Sequence, residues 1–194
     1  MPPRRARLAV LISGRGSNMK AIVDAARAAD CPYEVVLVAS NNPDAAGLAE
    51  ARAAGIATFA HSHRGMERAA FDALIDRALR DAGVEWIALA GYMRLLSPQF
   101  IAAWEGRIVN IHPSLLPKYK GLDTHARALA AGDTRHGCSV HIVTPELDDG
   151  PVVAQAEIAI RDGDTPQTLA ERLLAEEHRL YPRALAALIV GHHG

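Results

Sequence analysis

Cysteine, aromatic residues and net charge are all scarce in this sequence. Cys31 and Cys138 are the only cysteines, and aromatic residues make up 5% of the chain. Two distant thiols provide neither a disulfide framework nor a Cys-x-x-Cys metal pair, which suits a reducing, cytoplasmic setting. The 21 lysines and arginines nearly balance the 22 aspartates and glutamates, for a formal charge of -1. The basic excess typical of nucleic-acid-binding proteins is absent, so we expect no nucleic-acid partner.

Long hydrophobic runs are also missing. No apolar stretch approaches the roughly 18 residues of a membrane-spanning helix, so we expect no membrane association. The N-terminus, MPPRRARLAVLISGRG, has the basic start of a signal peptide. Its apolar part is shorter than the usual ~7–15 residues, and no small-residue cleavage site follows. We predict a flexible tip at residues 1–6 that leads into a first strand, within a single domain over residues 1–194.

The first half of the chain alternates short β-branched runs with longer alanine-rich stretches. Runs such as LAVLI and VVLVA are apolar at successive positions, which is typical of parallel strands covered by helices on both faces. The predicted strands are residues 7–13, 33–40, 57–61, 86–92 and 107–112, and the predicted helices are residues 18–29, 44–54, 66–82 and 98–105. This alternation predicts a doubly wound α/β sheet with a Rossmann-like N-terminal half.

The pattern changes after His112. The segment PSLLPKYKGLD contains two prolines and a glycine and is typical of an irregular loop. A short helix is predicted at residues 124–131, then two strands at residues 139–144 and 152–160, and a last helix at residues 166–190. The short connection between these two strands favours an antiparallel pair. We therefore predict a mixed, mostly parallel sheet with helices on both faces.

A glycine-containing turn follows the first predicted strand. Gly14, Arg15, Gly16, Ser17 and Asn18 lead into a helix, whose N-terminus offers free N–H groups to an anion. The turn lacks the third glycine of the dinucleotide fingerprint and the Gly-Lys-Ser/Thr of a P-loop. A small phosphate cradle remains one interpretation. The other is that Ser17 or Asn18 merely caps the helix.

Two polar side chains share one face of the fifth predicted strand. Asn110 and His112 alternate with Val109 and Ile111, so they project to the same side near the carboxyl end of a parallel strand. Open α/β sheets bind ligands at that edge. An amide and an imidazole placed together can donate hydrogen bonds to a developing oxyanion. The alternative, a capping asparagine and a buried structural histidine, is less favoured because the two are paired.

An acidic loop supplies a candidate third member of the site. It contains Glu146, Asp148 and Asp149, and composition alone does not choose among them. A carboxylate near His112 could orient the imidazole and relay protons through water. His141, and His125 in a helix that Asp123 could cap, are interpreted as structural. No histidine or cysteine pair has zinc-site spacing, so we expect no metal.

One carboxylate falls on the apolar stripe of the last helix. Glu177 lies four residues after Leu173 and three before Leu180, both of which belong to that stripe. A buried carboxylate is unfavourable unless it is paired or bound. We favour a ligand-binding role for Glu177 over the alternative, in which the stripe reaches the sheet edge and Glu177 reaches solvent.

Taken together, these segments resemble a known family over essentially the whole chain. The matching motifs are LISGRGSN, GYMRLLS, VNIHPSLLPKYKG, HGCSVHIVTPELDDGPVVAQ and a terminal E-H-x-x-Y-P. They resemble the phosphoribosylglycinamide formyltransferases, folate-dependent enzymes with a formyltransferase fold. The NIHPSLLP block is the most specific motif and the glycine turn the least specific.

The resemblance implies a role for each matching residue. Asn110, His112 and Asp148 would be catalytic, which selects Asp148 from the acidic loop. The ribonucleotide would bind Gly14, Arg15, Gly16, Ser17, Asn18 and Glu177. The folate would bind Arg68, Met93, Arg94, Leu95, Leu96, Asn110, Thr144 and Asp148. A cis peptide is implied before Pro117. Lys120 and Asp123 depart from residues of some relatives, proline and histidine respectively, in the loop facing substrate.

The implied reaction transfers the formyl group of 10-formyltetrahydrofolate to the amine of glycinamide ribonucleotide in purine (IMP) biosynthesis, through an oxyanion-stabilised tetrahedral intermediate. The formylfolate is a co-substrate, both partners are small molecules, and a homodimer is allowed for. The alternative activity is a 10-formyltetrahydrofolate hydrolase. A methionyl-tRNA formyltransferase and a catalytically silent folate- or nucleotide-binding module are further alternatives. The hydrolase and the methionyl-tRNA formyltransferase would each carry an additional domain, which we do not expect here.

Overall fold

Strands and helices alternate along the chain in the computed structural model, which describes residues 4–192. In chain order they are β1 (Ala6–Ile12), α1 (Ser17–Ala25), β2 (Tyr33–Ser40), α2 (Gly47–Ala53), β3 (Ala57–Ala60), α3 (Arg68–Asp81), β4 (Trp86–Leu89), α4 (Pro98–Ala103), β5 (Ile108–His112), α5 (Thr124–Ala130), β6 (Arg135–Ile142), β7 (Val152–Ala159) and α6 (Pro166–His192). Of the predicted tip, residues 1–3 lie outside the described residues. The Arg5 guanidinium donates to the carbonyls of Ala26 and Ala28, and Ala6 begins β1.

The strands form one seven-stranded sheet in the order β3-β2-β1-β4-β5-β6-β7. The pairs among β1 to β5 are parallel, whereas β5–β6 and β6–β7 are antiparallel. The predicted mixed, mostly parallel α/β sheet is therefore confirmed. The strand order reverses between β1 and β4, and ligands bind at such a switch point in open α/β sheets.

The sheet is buried on both faces because its central strands are apolar at successive positions. Leu8, Val10 and Ile12 of β1 pack on one side with α1, α2 and α6. Ala9 and Leu11 pack on the other side with α3 and α4. All five of these β1 side chains are fully buried, as the LAVLI run predicted.

Two predicted strand boundaries differ from the structure by three or more residues. Strand β6 begins at Arg135, before the predicted residue 139, although Gly137 lies inside it. A Cβ at Gly137 would lie 2.1 Å from the Ala156 carbonyl oxygen, so this glycine permits close strand approach and does not end the strand. Strand β4 ends at Leu89, before the predicted residue 92, and Gly91 then adopts a φ of 69°.

Helix α6 is attached to the sheet through Tyr181. This side chain is fully buried, and its hydroxyl lies 2.8 Å from the Leu89 carbonyl oxygen and 3.0 Å from that of Val109. The hydroxyl has one proton, which it can donate to the carbonyl of either of two neighbouring strands, β4 and β5. Tyr181 fixes α6 against the strands that lead into the candidate site.

Candidate active site

The imidazole of His112 is held between two oxygen atoms. Its Nδ1 lies 3.4 Å from Oδ2 of Asp148, and its Nε2 lies 2.8 Å from the Tyr119 carbonyl oxygen. A carbonyl only accepts hydrogen bonds, so Nε2 carries a proton. Nδ1 faces the Asp148 carboxylate at ion-pair distance.

The backbone of the acidic loop selects Asp148 as the carboxylate of the site. Asp148 has a φ of 50°, in the left-handed region, and its Oδ2 accepts a hydrogen bond from the Gly121 N–H at 2.9 Å. The side chain is only 8% exposed, whereas Glu146 and Asp149 are exposed. Asp149 instead pairs with Lys120. Of the three acidic residues that composition could not distinguish, Asp148 is therefore the one that lies next to His112.

His141 orients the amide of Asn110. Its Nδ1 donates to the Ile142 carbonyl oxygen at 3.1 Å, which leaves Nε2 as an acceptor for Nδ2 of Asn110 at 3.2 Å. The same Nε2 lies 3.8 Å from Oδ1 of Asp148. Burial lowers the pKa of His141, which favours the neutral ring that this pairing requires. The predicted structural role of His141 is thus specific: it fixes Asn110.

The loop that follows β5 is fixed by hydrogen bonds to buried polar groups of strand β6 and by Gln155 of strand β7. Ser139 Oγ donates to the Ser114 carbonyl and accepts from the Leu116 N–H and from Gln155 Nε2. The Leu116–Pro117 peptide is cis, as the family resemblance implied. These bonds fix the chain between His112 and Tyr119, which supplies the carbonyl that contacts His112.

Two histidines pack behind this loop. His125 Nδ1 and His136 Nε2 are 3.0 Å apart. Burial lowers the pKa of both rings, that of His136 to about 4. Asp123, expected to cap the helix of His125, occupies the N-cap position of α5 with a φ of 58° but makes no side-chain capping bond. The left-handed backbone at Asp123 provides the helix start instead.

The glycine turn leaves the first N–H groups of α1 without a side-chain cap. Gly16 is the N-cap of α1 with a φ of 71°, and no side chain caps this helix, so the capping role considered for Ser17 and Asn18 is not what these residues perform. The turn rests on Gly47, whose N–H donates to the Gly14 carbonyl at 3.0 Å. A Cβ at Gly47 would lie 2.6 Å from Cδ1 of Ile12. Arg15 and Ser17 remain exposed.

Glu177 connects the cradle with α6. It is 7% exposed, and its Oε2 accepts a hydrogen bond from Asn18 Nδ2 at 3.1 Å. Burial raises the pKa of Glu177, and the Asn18 bond opposes the shift. Glu177 is buried and paired, so the solvent-exposed alternative was wrong. Oδ1 of Asn18 is buried without a hydrogen-bond partner within the described residues, which leaves an acceptor for a ligand hydroxyl.

The residues expected around the folate make fewer contacts with one another than the residues of the His112 cluster do. Met93 and Leu95 are 72% and 55% exposed, whereas Leu96 is buried. The Arg94 guanidinium carbon lies 5.0 Å from the centre of the Phe71 ring. Thr144 is half-buried beside the acidic loop, and Arg68, exposed at the start of α3, makes no hydrogen bond or ion pair within residues 4–192. The structure gives Arg68 no contact that connects it to the other predicted residues.

Four polar residues near the site were not predicted: Ser13, Asn41, His63 and Asp72. Ser13 and Asn41 follow directly after β1 and β2, at the carboxyl ends of neighbouring strands. The signal was present, since polar residues directly after two adjacent buried strands meet at one sheet edge.

Neither a metal centre nor a membrane span emerges from the described part of the chain. Within residues 4–192, no group of three or more His, Cys, Asp or Glu side chains is arranged to hold a metal ion. No helix there combines the length and apolar character needed to cross a membrane.

Comparison with known proteins connects this site to one family. The formyl transferase family model matches residues 6–185. The phosphoribosylglycinamide formyltransferase of Escherichia coli is 45% identical over 180 residues, which cover 92% of this chain and 85% of that protein. The crystal structure of phosphoribosylglycinamide formyltransferase from Brucella melitensis has a TM-score of 0.92 at 51% identity and covers 96% of both chains.

Larger proteins also contain a matching region. The trifunctional purine biosynthetic protein adenosine-3 of Bos taurus is 43% identical over 190 residues, which cover 97% of this chain but 19% of that protein. This chain therefore spans about a fifth of that relative. The sequence match, the shared fold and the full-length bacterial relative agree, and the chain belongs to the formyl transferase family.

Proposed function

We propose that this chain transfers the formyl group of 10-formyltetrahydrofolate to the amine of glycinamide ribonucleotide. The observation that carries the proposal is the convergence of Asn110, His112 and Asp148, with 3.4 Å between His112 Nδ1 and Asp148 Oδ2. The names of the bacterial relatives support formyl transfer over hydrolysis of the same folate. The folate acts as a co-substrate that supplies the one-carbon unit.

In the proposed reaction the free amide N–H of Asn110 donates a hydrogen bond to the oxyanion. His112 stabilises the oxyanion through the positive charge of its protonated ring, because both of its ring nitrogens face protein oxygens in this structure. Attack of the amine on the formyl carbon places negative charge on the formyl oxygen, and each preorganised donor to such an oxygen contributes about 10²–10³ in rate. His141 holds one amide N–H of Asn110, so the other N–H is directed at the substrate. Asp148 supports the protonated form of His112 and, through water, moves a proton from the amine to the departing folate nitrogen, worth roughly 10²–10⁴.

The cradle of residues 14–18 and Glu177 bind the ribonucleotide in this proposal. The free N–H groups at the start of α1 and the Ser17 hydroxyl suit a phosphate. Glu177 and the unpaired Oδ1 of Asn18 are acceptors suited to ribose hydroxyls. Because the phosphate is remote from the reacting amine, its binding energy serves to orient the amine.

Exposed apolar side chains support the proposed folate site. Met93 and Leu95 belong to one loop, and Leu122 and Leu147, 74% and 55% exposed, belong to the two loops that meet at Asp148. Apolar side chains on three neighbouring loops suit a planar ring. Arg94, Leu96 and Thr144 are assigned to the same ligand, and Arg68 to its distant carboxylate end.

The decisive experiment compares two acceptors. The protein is mixed with 10-formyltetrahydrofolate with and without glycinamide ribonucleotide, and the release of tetrahydrofolate is followed. We expect release that depends on the ribonucleotide, and His112→Ala serves as the inactive control. Release that ignores the ribonucleotide would establish the hydrolase instead. Binding of the folate without release would establish a silent binding module.

The setting of the reaction is also part of the proposal. Cys31 and Cys138 are free thiols, which suits the cytoplasm. The homodimer stays a prediction, which sedimentation of the purified protein would test.

A further inference from the structure

One hydroxyl group connects the loops assigned to the two substrates. We define the ribonucleotide loop as residues 14–18 and the folate loop as residues 91–97. Ser13, directly before the ribonucleotide loop, accepts a hydrogen bond from the Met93 N–H of the folate loop at 2.7 Å. Residue 93 is 80 positions away in sequence, so this bond forms only in the folded chain.

Chemistry fixes the direction of the two hydrogen bonds at Ser13. The Met93 N–H only donates, so Ser13 Oγ is the acceptor, and its own proton is free for Oδ1 of Asn41 at 2.6 Å. With Oδ1 accepting, Nδ2 of Asn41 faces His63 Nδ1 at 3.1 Å. A change at Ser13 therefore affects a row of bonds from His63 to Met93.

The far end of the folate loop is attached elsewhere. Asp72 of α3, 2% exposed, accepts a hydrogen bond from the Ser97 N–H at 2.6 Å. Arg94 rests on the Phe71 ring of the same helix. Because α3 fixes the second half of the loop, the position of its first half depends on Ser13.

We propose that Ser13 is a positioning residue that couples the two substrate sites, so that ribonucleotide bound at residues 14–18 tightens folate binding at residues 91–97. The inference rests on the proposed function. A phosphate held at residues 14–18 would restrain Ser13, which directly precedes them, and through the Ser13–Met93 bond it would restrain the folate loop in the position that binds the folate. By linkage, folate binding tightens ribonucleotide binding by the same factor.

The test measures the dissociation constant of tetrahydrofolate, an unreactive product, by titration calorimetry with and without saturating glycinamide ribonucleotide. In the wild type we expect tighter folate binding when the ribonucleotide is present. Ser13→Ala should reduce this gain by about threefold to tenfold, the equivalent of one hydrogen bond. In turnover, Ser13→Ala should raise the KM for the formylfolate more than it lowers kcat.

Two further variants separate coupling from general damage. Ser13→Thr keeps the hydroxyl and should restore the coupling. Ser62→Ala is the matched control, because Ser62 is also a half-buried loop serine that accepts a backbone N–H bond, from Arg64 at 3.3 Å, but this bond joins neither substrate loop. An unchanged coupling ratio in Ser13→Ala, or an equal loss in Ser62→Ala, would overturn the proposal.

Hydrogen exchange distinguishes failure of this proposal from failure of the proposed function. The Met93 amide should exchange faster in Ser13→Ala than in the wild type, without any ligand. If wild-type protein bound neither ligand, the proposed function would fail, and with it the assignment of the loops to substrates. If both ligands bound but ribonucleotide left Met93 exchange and folate affinity unchanged, only the coupling would be overturned.

Discussion

The two halves of the site are built differently. The catalytic cluster of Asn110, His112, His141 and Asp148 lies where the sheet changes from parallel to antiparallel pairing, and its polar groups already contact one another. The ribonucleotide loop lies at the end of the parallel strand β1, with Arg15 and Ser17 exposed. There, a single side-chain bond, Asn18 to Glu177, joins it to α6.

Under the proposed function, this difference separates the groups assigned to the chemistry from those assigned to substrate binding. Oxyanion donors are effective when they are oriented before the reaction, so their bonds to protein partners are formed without ligand. Phosphate and ribose donors and acceptors are used by the ligand itself, so groups such as Oδ1 of Asn18 have no protein partner within the described residues. The comparison predicts that changes in the cluster reduce turnover, whereas changes in the loop reduce ribonucleotide affinity.

The largest effect is expected at Asp148. Asp148→Asn removes the negative charge beside His112, so we expect kcat to fall by about 10²–10⁴, with ribonucleotide binding nearly unchanged. Steady-state kinetics and calorimetric titration measure the two quantities. Near-normal turnover in both Asp148→Asn and His112→Ala would contradict the assignment of the cluster.

A smaller effect is expected from Glu177→Gln. Loss of a charged hydrogen-bond acceptor should weaken ribonucleotide binding by about 10- to 100-fold and leave folate binding intact. Because burial raises the pKa of Glu177 above its usual 4.5, the folded protein holds this proton more tightly than the unfolded chain does. Ionisation therefore lowers the free energy of unfolding as the pH rises. Glu177→Gln should be more stable than wild type at about pH 8, with the difference absent near about pH 4.

Ser17→Ala should act in the same direction with a smaller magnitude. Removal of one neutral donor is expected to weaken ribonucleotide binding by about 2- to 10-fold. Folate binding serves as the internal control. The reverse pattern, weaker folate binding with an intact ribonucleotide site, would mean that the loop is assigned to the wrong substrate.

The smallest effect is expected from His136, which lies behind the loop of the catalytic cluster and makes the free energy of unfolding depend on pH. The pKa of His136 is lowered to about 4, so below the ordinary value of 6.5 the unfolded chain binds a proton that the folded protein does not. The free energy of unfolding should therefore fall by on the order of 1 kcal/mol between about pH 7.5 and 5.5. Urea denaturation at the two pH values measures this change. His136→Gln should reduce the difference, and an equal difference in that variant would assign it to other groups.

Much of the fold was predictable because the signals are local. The apolar run of β1, the alternation of strands with alanine-rich helices, and the short β6–β7 connection each depend on adjacent residues. The start of β6 at Arg135 was missed, and Gly137 gives no signal that the strand continues through it, because a glycine that ends a strand and one that permits close approach to Ala156 are identical in sequence. Only the facing strand distinguishes them.

Within the site, the residues that could be predicted were polar residues that interrupt an apolar sequence pattern. Glu177 interrupts an apolar stripe, and Asn110 and His112 share one face of a buried strand. Asp148 was not selected by the residues alone, because its role depends on a left-handed backbone and on the N–H of Gly121, 27 positions earlier. The bond from Ser13 to Met93 was equally hidden, because it joins segments that only the strand order brings together.

The one-turn spacing of Glu177 and Tyr181 in α6 has a consequence for engineering. A helix rises by about 6 Å over four residues, so this interval separates Glu177, the acceptor assigned to the ribose, from Tyr181. The Tyr181 hydroxyl is bonded to the carbonyls of Leu89 and Val109. Helix α6 therefore fixes the distance between Glu177 and the ends of strands β4 and β5. A shift of α6 along its axis would move Glu177 and Tyr181 together, so the acceptor assigned to the ribose cannot be repositioned in this way without breaking the bonds of Tyr181 to the sheet.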